Sequence, residues 1–141
     1  MFEFDPKAPI CIECGSVAKL TSGQAIYPHR PDLYSKHFYK CNCGAYVGCH
    51  PNTTNALGTP AGAKTRNARK AVHAAFDPLW KNKLMKRSYA YQLLAEALEI
   101  TGQQCHVSWF DAEQCAAALE AVKRIKADNF RSLMQASITT P

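Results

Sequence analysis

Two short cysteine clusters, each closed by a glycine, constrain this chain more than any other feature: CIECG at Cys11 to Gly15 and CNCG at Cys41 to Gly44. Two thiolates separated by two residues can hold one tetrahedral metal ion from a tight turn. A glycine after the second cysteine admits the positive φ such a turn needs and lets backbone N–H groups approach the sulfurs. With 26 residues of strand-like sequence between Cys14 and Cys41, the two knuckles make a zinc-ribbon pattern. Cysteines buried as small hydrophobes would leave both Cys-Gly steps unexplained.

The second knuckle is irregular, because Cys41 and Cys43 are one residue apart instead of two. Cys43, followed by Gly44, is the firmer ligand on that side, and Cys41 is the expected fourth. Cys49 and His50 compete for its place. On a strand they would point to opposite faces, so at most one could turn toward the metal. The expected set is Cys11, Cys14, Cys41 and Cys43, holding one zinc ion. Four thiolates fill the tetrahedron and leave none of the open positions a catalytic zinc keeps. The metal is expected to hold a shape.

The 141 residues allow one domain, or one domain with a small appended module. Seven cysteines cannot all pair as disulfides, and no secretory leader is visible at the N-terminus. A reducing cytoplasm is therefore expected, where clustered cysteines more often bind metal. No stretch approaches the roughly 18 apolar residues of a membrane span. The net charge of +6 is concentrated. Between Lys64 and Arg87 lie eight basic residues (Lys64, Arg66, Arg69, Lys70, Lys81, Lys83, Lys86 and Arg87) and one acid, Asp77. Such concentration suggests a surface for a polyanionic partner, although a run of this kind also serves as a solvated helical face.

The fold class reads as α+β: a small N-terminal β-rich zinc ribbon (1–59) packed on or linked to a C-terminal helical bundle (60–141). KHFYK and AYVGC have the aromatic and β-favouring content of short strands. HPNTTNALGTPAG has the composition of a linker. Beyond it, Ala68, Val72, Ala75 and Phe76 fall at helical spacing, and basic helices are expected over 60–87. Asp77 followed by Pro78 resembles a helix start. Ser88 would cap a helix over 89–100 with Ala90, Leu93, Leu94, Ala97 and Leu98 on one face, ended by Gly102. Asp111 and Gln114 form a capping-box pattern before a helix over 112–135, with Cys115, Ala118, Leu119, Val122 and Ile125 sharing a face.

Cys105, His106 and Cys115 could belong to a second metal site, with His73 the convenient fourth ligand, but Cys115 lies on an apolar stripe and reads as core. No HExxH, deaminase-type HxE with PCxxC, GxSxG or glycine-rich phosphate loop is present, and the acids are scattered. No enzyme, and no small-molecule substrate, is expected.

With CIECG, CGAYVGCH, ALGTPA, HAAFDPLW and CHVSWFDAEQC in view, the chain resembles a small zinc-finger-containing family of unknown function found mainly in bacteriophages and prophages. The resemblance spans about Cys11 to Val122. It implies a zinc finger carried by Cys11, Cys14 and Cys43 with Cys41 as fourth ligand, and action in a host bacterial cytoplasm. It implies no activity. The residues themselves favour nucleic-acid binding, DNA or RNA, through the segment from Lys64 to Arg87. Tyr34, Phe38, Tyr39 and Tyr46 are candidates to stack on bases. The second reading is a protein-binding module that docks on a host enzyme, with Trp80 and Trp109 as anchors.

Overall fold

The aromatic and β-branched residues of HFYK and YVG favour two short strands, which pair across the second cysteine knuckle. The computed structural model describes residues 4–139 and divides into two units. One runs to Asn67 and takes in Ser108–Asp111; the other comprises Ala68–Val107 and the chain from Ala112. The architecture is α+β, with the sheet in the first unit and long helices in the C-terminal half.

In the first unit, β1 (Lys19–Ser22) runs into a single helical turn, α1 (Gly23–Ile26), and then β2 (His37–Lys40) and β3 (Tyr46–Gly48) complete an antiparallel sheet of order β1-β2-β3. The register sets Leu20 opposite Tyr39, Tyr39 opposite Val47, and Phe38 opposite Gly48. Because side chains alternate along a strand, Tyr39 points into a small cluster with Cys11, Ala18, Cys41, Ala45 and Ala56. On the other face Phe38 meets Tyr27 and Tyr46 edge-on, and the Tyr27 and Tyr46 hydroxyls lie 2.7 Å apart.

The segment after β3 is not a free linker. Cys49 bridges Ala56, Tyr46 bridges Ala61, and Ile12 N–H donates to the Pro60 carbonyl at 3.0 Å. Thr59, Pro60 and Ala61 are fully buried. Backbone pairing by small residues, not side-chain hydrophobicity, holds this strap in place.

Helix α2 (Ala63–Phe76) crosses the dividing line between the units and buries Thr65, Arg69, Val72 and Phe76 at helical spacing. Its path continues almost unbroken into α3 (Pro78–Lys81): Asp77 is helical and makes no cap with its side chain, which instead reaches His73 at 3.2 Å and Lys81 at 3.9 Å. The expected fresh start at Asp77 is thus a proline interruption, because Pro78 removes one donor while its φ still fits the helix. Helix α4 (Arg87–Leu98) begins one residue ahead of Ser88, after an extended Lys86, and ends at left-handed Glu99 instead of Gly102. Its buried residues are Ala90, Leu94 and Ala95, while Ala97 is exposed. Helix α5 (Ala112–Thr139) buries Cys115, Ala118, Ala121, Val122 and Ile125 within the second unit. No described helix is long and apolar enough to cross a membrane.

Candidate metal centre and cationic segment

Each knuckle is a turn closed by backbone hydrogen bonds. In the first, Cys11 N–H donates to the Ser16 carbonyl at 2.8 Å and Gly15 N–H to the Cys11 carbonyl at 2.9 Å. In the second, Cys41 N–H donates to the Ala45 carbonyl at 2.8 Å and Gly44 N–H to the Cys41 carbonyl at 2.9 Å. The second turn therefore closes one residue sooner, which accommodates the one-residue spacing of Cys41 and Cys43. Gly15 and Gly44 adopt φ of 77° and 97°, where a side chain would be strained.

These turns bring the sulfurs of Cys11, Cys14, Cys41 and Cys43 within 4.8 Å of one another. The Cys11 and Cys43 sulfurs are 3.6 Å apart, and those of Cys14 and Cys41 3.2 Å. A zinc–sulfur bond of about 2.3 Å requires tetrahedral edges of about 3.8 Å. The donor set and its spacing fit one structural zinc, and four thiolates would complete its coordination. Glu13 N–H donates to the Cys11 sulfur at 3.4 Å, the kind of contact that orients a thiolate ligand. Burial pushes the Cys11 thiol up to about 12, whereas the Ser16 N–H, and after it the Cys41 side chain, brings Cys14 down to about 6. Zinc must displace the proton that Cys11 retains at neutral pH, so its binding tightens as pH rises.

Cys49 is half-buried against the small core and lies outside this cluster, as does exposed His50. Among the described residues, the four cysteines are the sole group of three or more histidine, cysteine or acidic side chains close enough to share a metal. Cys105 and Cys115 are buried in the second unit, and burial alone raises the Cys105 thiol to about 11.

Sequence reasoning passed over Glu13. Its Oε2 accepts the Gly62 N–H at 2.6 Å and its Oε1 the Thr65 hydroxyl at 3.3 Å, so a residue inside the first knuckle caps the start of α2. A Cβ at Gly62 would stand 2.9 Å from Glu13 Oε2, so the carboxylate would have to shift. Glu13→Ala is expected to cost about 1 kcal/mol, the usual worth of a lost helix cap. Thermal melts of the zinc-loaded protein should show a lower midpoint at unchanged zinc content. An unchanged midpoint would mean the carboxylate caps nothing.

The eight cations of the basic segment fall into two groups. Arg66 lies 3.9 Å over the Tyr46 ring and donates to the Ala61 carbonyl at 2.5 Å; Arg69 is only 8% exposed. Both are committed to the protein. Lys64, Lys70, Lys81, Lys83, Lys86 and Arg87 are exposed, and of these only Lys81 has a carboxylate partner among the described residues. Arg87 stacks 5.2 Å over Trp80 and 4.6 Å over Tyr91. Among the aromatic candidates, Tyr39 is buried with its hydroxyl donating to Thr54, Tyr34 donates to the Pro28 carbonyl, and Phe38 and Tyr46 belong to the aromatic cluster. Trp80 is half-buried, and Trp109 is half-buried against Phe4 at 5.1 Å.

Two glycine-closed cysteine turns on a three-stranded sheet, with four converging sulfurs, define a zinc-finger domain. The family of zinc-finger-containing domains DUF3268 matches residues 7–125, and the chain belongs to it. Comparison with curated proteins and with solved structures returns no match.

Proposed function

We propose that this protein binds nucleic acid and that its zinc is structural, with phosphates contacted by the cations of the α3–α4 connection. The observation that carries the reading is local. Within KNKLMKR, Lys81, Lys83, Lys86 and Arg87 are all exposed, and Asp77 engages only Lys81 among them. Such a segment is an efficient contact for a polyanion, since each neutralised phosphate releases counterions. Lys64 and Lys70 add two further exposed cations on α2. A binding protein, not an enzyme, acting in the cytoplasm of a bacterial host and of phage origin, is the reading consistent with these features.

The test is fluorescence anisotropy of the zinc-loaded chain with single-stranded and duplex DNA and RNA at low and moderate salt. Four phosphate contacts predict a loss of about a hundredfold in affinity between about 50 and about 200 mM salt. Absence of binding at the lower salt, or binding insensitive to salt, would defeat the proposal.

One observation favours a protein partner as the second reading. Phe130, Leu133 and Met134 on α5 are 64%, 60% and 49% exposed and share one helical face, and Leu84 is exposed within the cationic segment itself. A host enzyme with an acidic rim around an apolar patch would suit these surfaces.

A further inference from the structure

The first unit contains a cavity of about 710 Å³, lined among others by Leu33, Lys36, Phe38, Gly48, His50 and Leu57. Its size lies within the roughly 300–1,000 Å³ typical of small-molecule sites. Gly48 is among the residues that line it. Gly48 sits on β3 opposite Phe38, and a Cβ built there would lie 3.6 Å from Phe38 Cε2 and 3.7 Å from Leu57 Cδ1. A side chain at position 48 would fill the space between the phenyl ring and the leucine. The glycine has an ordinary strand conformation and no positive φ, so the backbone does not require it. What it provides is an opening.

The walls and rim differ in chemistry. Leu33, Phe38 and Leu57 supply apolar surface, while Ser35, Asn52 and Thr53 offer donors and acceptors. Lys36 brings a fixed positive charge, and His37 and His50 bring imidazoles that have no hydrogen-bond partner among the described residues. Among the described residues, no carboxylate lines the cavity. Asp32, whose pKa is lowered first by its hydrogen bonds with Arg30 and also by Lys36, is held by Arg30 in a two-pronged pair at 2.9 and 2.7 Å. No ion pair engages Lys36 among the described residues, and its side chain lines the cavity.

We infer that this slot binds a nucleotide, with the heteroaromatic base between Phe38 and Leu57 above Gly48 and the phosphate on Lys36 and the flanking imidazoles. Apolar walls suit a base's faces, the amide and hydroxyl rim suits its polar edge, and the cationic mouth suits its phosphate. The nucleotide can arrive free or as an unpaired residue of a strand. The slot belongs to the first unit and the segment from Lys81 to Arg87 to the second, so each can fail without the other.

The experiment is an amide-resolved NMR titration of the full zinc-loaded chain with adenosine and uridine monophosphates, adenosine alone, inorganic phosphate alone, and a trinucleotide. Shifts should concentrate at residues 33–38 and 48–57, and the monophosphates should bind about tenfold tighter than adenosine, the worth of a charge-assisted contact. A valine at position 48 suits a strand, so Gly48→Val should abolish the shifts while leaving zinc content and the remaining spectrum unchanged. Lys36→Gln should remove the advantage of the monophosphate over adenosine. Replacing Lys81, Lys83 and Lys86 with Glu should leave mononucleotide binding intact, which separates this inference from the proposed function. Tighter binding of the trinucleotide at the same residues identifies a strand as the source; equal or weaker binding identifies a free nucleotide. Shifts that lie elsewhere, that persist in Gly48→Val, or that are matched by phosphate alone would overturn the inference.

Discussion

Replacing Cys11 with Ser, or stripping the metal with a chelator, is expected to unfold the ribbon while the helices of the second unit persist. The small core beneath the sheet shows why. Its buried members are Cys11, Ala18, Tyr39, Cys41, Ala45 and Ala56, of which two are zinc ligands and three are alanines. Tyr39 is the one large side chain, and burying it contributes about 2 kcal/mol. Ordering each backbone residue costs about 1–2 kcal/mol, so this cluster cannot hold the turns by itself. A structural zinc contributes on the order of 10 kcal/mol to folding in small modules. Because Glu13 and Ile12 also anchor Gly62, Thr65 and Pro60, loss of the knuckle should release the start of α2 as well. Amide-resolved NMR with zinc quantification would show about one zinc per chain in the native protein, as a single four-thiolate site requires. Cys11→Ser should lose it, together with dispersed signals from the ribbon. Cys49→Ser should keep both. Zinc retained in Cys11→Ser, or lost in Cys49→Ser, would displace the assignment of the ligands.

The metal centre was legible because its chemistry is local. Cysteine spacing, and a glycine where the chain must take a positive φ, are properties of five or six consecutive residues, and Gly15 and Gly44 both adopt that conformation. Strands β2 and β3 were legible for the same reason. The irregular second knuckle left Cys49 and His50 open as ligands, and only the early closure of the turn onto Ala45 shows how Cys41 reaches the other sulfurs. The segment 50–62 looked like a linker because glycine, proline and asparagine carry no hydrophobic periodicity. Its order comes from backbone pairing with residues distant in sequence, which composition cannot report. Charge counting failed differently. It treats Arg66 and Arg69 as equivalent to Lys83, yet one arginine is stacked on Tyr46 and the other is buried. Glu13 escaped notice because its partners lie about fifty residues away in sequence, as any tertiary cap can.

That sorting of the cations decides which substitutions test binding. Changing Arg66 or Arg69 would disturb the protein's own packing, and lost affinity would then say nothing about phosphate contacts. Lys81, Lys83 and Lys86 are exposed, and the one ion pair they make among the described residues, Lys81 with Asp77 at 3.9 Å, is a surface pair of little energetic weight. Exchanging all three for Glu should leave helix content by circular dichroism unchanged. Affinity for nucleic acid should fall by at least about a hundredfold at low salt, and the slope of log affinity against log salt should flatten by about three, one unit for each lost phosphate contact. Arg87 calls for a different change, because its guanidinium also packs against Trp80 and Tyr91. Arg87→Lys keeps the charge but loses the planar stacking that orients it. The salt slope should therefore remain while affinity drops only a few-fold, about the worth of one cation–π contact. If the triple exchange leaves both affinity and slope unchanged, the phosphates are contacted elsewhere. The pair Lys64 and Lys70 on α2 would then be exchanged next, and the α3–α4 connection would stand as a solvated face.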